Sequence, residues 1–123
     1  MQFADYFVGK TIESIQGAEA GSEDVTFFFT DGTAVSTYHS QDCCESVSID
    51  RVAGDMQELI GKIITSASEE ESHEGDREYG ESCTWTEQTF EADGVKAMLV
   101  WLGQSNGYYS ETPYTRITHG AKV

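Results

Sequence analysis

Basic side chains are scarce in this sequence. Lys and Arg number seven against 22 Asp and Glu, so the formal net charge is −15 over 123 residues. Such a charge repels phosphate backbones and argues against generic binding of DNA or RNA. No apolar run reaches the ~18 residues of a membrane-spanning helix, so no membrane partner is expected. The start, Met1-Gln2-Phe3-Ala4-Asp5, lacks the basic and apolar regions of a secretory signal, and an intracellular protein is expected. The three cysteines, Cys43, Cys44 and Cys83, are an odd count and make no disulfide framework. Adjacent Cys43 and Cys44 could bridge only through a strained ring, so reduced thiols are the simpler reading. There is no Walker loop, no Rossmann glycine motif and no serine elbow, which argues against the common enzyme classes.

What is present suffices for a packed domain. Hydrophobic residues make up 38% and aromatics 11%, so a single globular domain over residues 1–123 is expected. Turn signals cut the chain into short extended runs. Val25–Thr30 and Thr33–His39 are β-branched, aromatic and alternating. Asp31-Gly32 between them predicts a two-residue type I′ hairpin, in which both central residues need φ > 0. Val47–Val52 is a further strand candidate. Asp55–Gly61 reads as a short helix, with Asp55 as N-cap, Glu58 at capping-box spacing and Gly61 as terminator. Thr11–Ile15 fits a strand edge or a helix end, and Lys62–Ala67 is extended. Thr84–Glu91 and Val95–Leu102 alternate around the turn Ala92-Asp93-Gly94. Tyr108–Ser110 and Tyr114–Thr118 make a final strand interrupted at Pro113, the one proline. The fold class is therefore α+β: a mainly antiparallel sheet of about seven strands with one or two short helices.

Glu69 to Glu81 holds seven acids against Arg77. It reads as a solvated loop or irregular strand end. The sharper alternative is an acidic surface that mimics nucleic acid.

Two clusters could carry chemistry. His39-Ser40-Gln41-Asp42-Cys43-Cys44-Glu45 follows the first hairpin. Zinc on His39, Cys43, Cys44 and Cys83 is disfavoured, because adjacent cysteines on a strand point to opposite faces. A thiol nucleophile needs a base and an orienting partner, and nothing in the sequence shows that His39 and Asp42 converge on one. On physics alone the cysteines are small buried hydrophobes. The second cluster is Trp101-Leu102-Gly103-Gln104-Ser105-Asn106-Gly107-Tyr108-Tyr109-Ser110. It reads either as a tight connection flanked by core aromatics or as a binding loop. In the second reading Trp101 and one of Tyr108 and Tyr109 offer a flat face to a base. Asn106 reads a base or ribose edge, and Gly103 and Gly107 admit a ligand to the backbone. A phosphorylated ligand would need a local cation. Arg116, on the strand after the aromatic loop, is the first choice, and Arg77 is the second; a surface ion pair is the plainer reading of either, and for Arg77 it is the favoured one.

Gln41-Asp42-Cys43-Cys44-Glu45-Ser46-Val47, followed by Gly54-Asp55 and the acidic run, together with Trp101-Leu102-Gly103-Gln104-Ser105-Asn106-Gly107-Tyr108-Tyr109-Ser110, resembles a family of small phage and prophage proteins. Through it the chain resembles the anti-Thoeris sponge proteins. The resemblance implies non-catalytic sequestration of a cyclic ADP-ribose isomer, the alarm signal of a bacterial TIR-domain defence enzyme. It implies dimers and higher homo-oligomers, hexamers among them, and, in some members, cyclic oligonucleotides held at separate sites. It places the protein in the host bacterial cytoplasm. One departure stands out: Lys96 occupies the position, about ten before Asn106, where the pattern has an aromatic.

The expectation is a binding protein rather than an enzyme, with no cofactor and no metal. Its ligand-binding set is Trp101, Gly103, Asn106, Gly107, Tyr108, Tyr109, Arg116, Arg77, His39 and Asp42. The first alternative is an acidic, nucleic-acid-mimicking inhibitor of a host defence nuclease or complex, acting through Glu69 to Glu81; the second is a nucleotide hydrolase, and the third a structural or virion-associated module.

Overall fold

The computed structural model describes residues 2–39, 45–76, 81–105 and 112–119. Among the described residues, eight strands form two four-stranded antiparallel sheets. The strands are β1 (Ile12–Gln16), β2 (Asp24–Phe29), β3 (Thr33–Tyr38), β4 (Glu45–Ala53), β5 (Ser66–Asp76), β6 (Glu81–Ala92), β7 (Val95–Ser105) and β8 (Tyr114–His119). The first sheet has the order β1-β2-β3-β8 and the second β4-β7-β6-β5. The mainly antiparallel expectation holds. Among the described residues the helical parts are two 3₁₀ turns, Phe3–Tyr6 and Met56–Leu59. The second is the helix expected after Asp55. Asp55 caps it by accepting from the Gln57 amide at 2.9 Å.

The two glycine turns divide differently from the sequence expectation. At Asp31-Gly32 only Gly32 has positive φ, +88°. The Gly32 amide donates to the Phe29 carbonyl at 3.1 Å, and Asp31 Oδ1 accepts from the Thr33 amide at 2.9 Å. This is a three-residue hairpin ending in a left-handed glycine, not the type I′ turn expected there. The paired positive φ values occur instead at Asp93 (49°) and Gly94 (78°), between β6 and β7.

The sheets pack face to face. At one end the filling is apolar. Phe27 of β2 meets Phe90 of β6 at 5.0 Å between ring centroids, and Phe7 wedges edge-on against both at 5.1 and 5.0 Å. Towards the other end it becomes polar. Gln88 of β6 is fully buried, and its Nε2 donates to Thr37 Oγ1 of β3 and to Glu69 Oε2 of β5, both at 2.8 Å. Its Oε1 accepts from the Trp101 indole N–H at 2.8 Å. Nearby, the Thr86 hydroxyl is buried and, among the described residues, has no hydrogen-bond partner.

The acidic run is a correction. Glu69 to Asp76 is not a loop but the outer part of β5, paired residue for residue with β6. Neither propensity nor charge favours a strand there. The ladder to β6 and the burial of Ala67 opposite Phe90 override them. The pairing turns Glu69 inward, and burial raises its carboxyl pKa, against the lowering effect of the Gln88 hydrogen bond. No helix among the described residues is long and apolar enough to cross a membrane.

Candidate functional site

Strand β8 has a period of two that decides what faces out. Ile117 lies opposite Val35 and packs against the core. Arg116 and Tyr114 therefore share the outer face. The register sets Tyr114 opposite Tyr38 and Arg116 opposite Ser36. The two tyrosine rings lie 6.1 Å apart at 51°. The Arg116 guanidinium sits over the Tyr38 ring with Cζ 4.6 Å from its centroid. The His39 ring stacks on Tyr114 at 5.6 Å and 11°. His39 is buried, and its Nδ1 lies 3.0 Å from the Thr112 carbonyl. A carbonyl only accepts, so Nδ1 carries the proton. Tyr114 stays 48% exposed, which is unusual for so large a ring in this fold.

The result is an aromatic ledge with a cation at one end. Arg116 is exposed, and among the described residues no carboxylate pairs with it, although the chain as a whole carries −15. Its charge rests on the π face of Tyr38, which leaves the fork of N–H donors available to an anion. Tyr114 and Arg116 are two residues apart on one strand, hence about 6.8 Å. A planar ring laid on Tyr114 can thus present an attached anionic group to Arg116.

His39 and Arg116 of the expected set are brought together here. They are joined by Tyr38 and Tyr114, which the sequence reading did not name. Their alternation within strands was visible, but the register that sets one opposite the other was not.

Two expected residues stand elsewhere, and both are corrections. Trp101 is fully buried, and its indole N–H is spent on Gln88, so it offers no face to a base. Its side chain points inward because Thr86 and Ile49, its neighbours on either side, also face the core. Gly103 is buried between Val47 and Thr84 in the middle of the second sheet, with strands on both sides of its backbone, and opens no path for a ligand.

Asp42, Arg77, Asn106, Gly107, Tyr108 and Tyr109 lie outside the described residues, as do Cys43 and Cys44. The strand ends that flank them, Glu45, Asp76, Glu81 and Ser105, stand side by side at one end of the second sheet. Lys96 is at the other end of β7, with Nζ 3.7 Å from Glu91 Oε1. Nine residue steps along the strand, about 30 Å, separate it from Ser105. It therefore does not share a site with that end of the same chain. Among the described residues no three His, Cys, Asp or Glu side chains gather to hold a metal.

No curated protein and no solved structure matches this sequence. A protein family does, across residues 5–114. The match spans most of the chain, which therefore belongs to the family described as a domain of unknown function, DUF7448.

Proposed function

We propose that this protein captures a cyclic ADP-ribose isomer, or a related cyclic nucleotide signal, without turning it over, and so counters TIR-based anti-phage defence in the cytoplasm of a bacterial host. The observation that supports this reading is the exposed Tyr114 platform beside Arg116, a cation without a carboxylate partner among the described residues. Stacking serves the adenine, and the guanidinium serves the diphosphate. Asn106, Gly107, Tyr108, Tyr109, Asp42 and Arg77 enter the proposal on the sequence resemblance alone. A ledge covers only one side of a ligand. Tight capture needs a second wall, which a homo-oligomer supplies.

The test is depletion and recovery. Purified protein is incubated with cyclic ADP-ribose isomers and a panel of cyclic oligonucleotides, then heated, and the released small molecules are analysed. The reading expects loss of free ligand, intact ligand after heating, and affinity at least about tenfold weaker in Arg116→Ala. A cleaved product, or no depletion of any member of the panel, overturns it.

A second reading draws on β5, an edge strand carrying Glu69, Glu70, Glu71, Glu74 and Asp76. An inhibitor that mimics nucleic acid would bind its target through this edge, with affinity falling steeply as salt rises.

A further inference from the structure

The outer face of the second sheet carries an apolar strip where an antiparallel sheet facing solvent is normally polar. Residues on β6 and β7 alternate between faces. Thr84, Thr86 and Gln88 are buried within the sandwich, so Trp85, Glu87 and Thr89 face out. Leu102, Val100 and Met98 of β7 stand opposite them in that order. Val100 is buried yet lies outside the core cluster, shielded by its neighbours on this outer face. Trp85, Met98 and Leu102 are half-buried and also lie outside that cluster. Met98, Val100 and Leu102 thus make a strip about 14 Å long down the middle of the sheet.

The flanks of the strip differ in charge. On one side Glu87 faces Glu70 directly across the β5–β6 ladder. Like charges so placed destabilise a sheet. On the other side Arg51 of β4 stands opposite Val100 and is exposed. A helix laid along an apolar sheet face is the ordinary way to cover one. A strip of about 14 Å takes a helix of about nine residues at 1.5 Å per residue.

We propose that this face docks a basic amphipathic helix of a partner protein, with its apolar stripe on Trp85, Leu102 and Met98 and its Lys or Arg side chains over Glu70 and Glu87. The incoming cations relieve the repulsion between the two carboxylates. Arg51 on the far flank fixes the orientation, because it repels a basic residue there. A second copy of the chain is the poorer occupant of this face, since the cations it offers there are Arg51 and a Lys96 already paired with Glu91. The surface is separate from the Tyr114 ledge, and the inference does not depend on the nucleotide reading.

The test uses the full chain and an amphipathic Leu/Lys model helix, with a Leu/Glu helix as control. Trp85 reports contact through a blue shift in emission, whereas Trp101 is already buried. The proposal expects binding of the Leu/Lys helix only. It expects about tenfold weaker affinity in Leu102→Ser and in the double variant Glu70→Gln/Glu87→Gln, the latter with a raised Tm. The double variant Glu19→Gln/Glu58→Gln, which removes the same charge from exposed sites elsewhere, is expected to bind like the original chain. No binding, equal binding of the Leu/Glu helix, or equal weakening in the two double variants overturns it. So does sedimentation showing self-association that Leu102→Ser abolishes, because the occupant is then a second copy.

Discussion

Gln88 and Thr37 join the two sheets through a hydrogen bond of 2.8 Å between fully buried side chains. Gln88 also accepts from Trp101 and donates to Glu69, so one amide organises the polar half of the interior. Replacing it by Leu keeps the volume roughly constant but strands the Trp101 N–H and the Thr37 hydroxyl. Gln88→Leu is expected to cost roughly 2–4 kcal/mol, read from denaturant unfolding. A loss under about 0.5 kcal/mol, the range of neutral surface changes, would show that the bridge contributes little.

Thr86 is the opposite case. Its hydroxyl is buried and among the described residues has no partner, so it carries a desolvation cost without a compensating bond. Thr86→Val has nearly the same shape and removes that group. A gain of about 1 kcal/mol is expected, visible as a rise in Tm. A lower Tm would mean that the hydroxyl has a partner in solution.

Glu69 makes stability depend on pH in an unusual direction. Burial raises its carboxyl pKa above the ordinary value of 4.5. Between the unfolded and folded pKa values the folded chain holds more protons, so this group's contribution to stability falls as pH rises. Its unfavourable effect is complete above the folded pKa and vanishes below about 4.5. Glu69→Gln is expected to raise Tm at neutral pH and to remove that part of the slope just above pH 4.5. Parallel Tm–pH curves for the two proteins would contradict this.

The ledge residues are expected to separate binding from folding. Tyr114 and Arg116 are exposed, so Tyr114→Ala and Arg116→Ala are expected to leave Tm within about a degree or two. Each is expected to lower nucleotide affinity by about tenfold or more in equilibrium dialysis. Arg116→Lys is expected to recover only part of it, because an ammonium lacks the planar fork. Full recovery by Lys would assign Arg116 a role of charge alone.

Local chemistry accounts for what could be read in advance. Xaa-Gly turns at Asp31-Gly32 and Asp93-Gly94 separate alternating runs, and both are hairpins, because turn residues and a period of two act over a few positions. Even so, the turn at Asp31-Gly32 is not the type I′ turn that the dipeptide predicts. The Asp31 carboxylate takes the Thr33 amide, which suits a loop one residue longer. The residues of the acidic run favour a loop or an irregular strand end, and only the ladder to β6 makes a regular strand of them up to Asp76.

Composition and local pattern already define the class: an acidic chain of short antiparallel strands, with Gly-centred turns and enough apolar surface for a core. Which tryptophan is inside, where the polar seam runs and which aromatics form the ledge are set by the packing of the two sheets. Those outcomes rest on register between distant strands. Thr37 meets Gln88 across 51 residues of chain, and His39 meets Thr112 across 73. A slip of one residue would turn every side chain of a strand to its other face, and no local pattern encodes that choice.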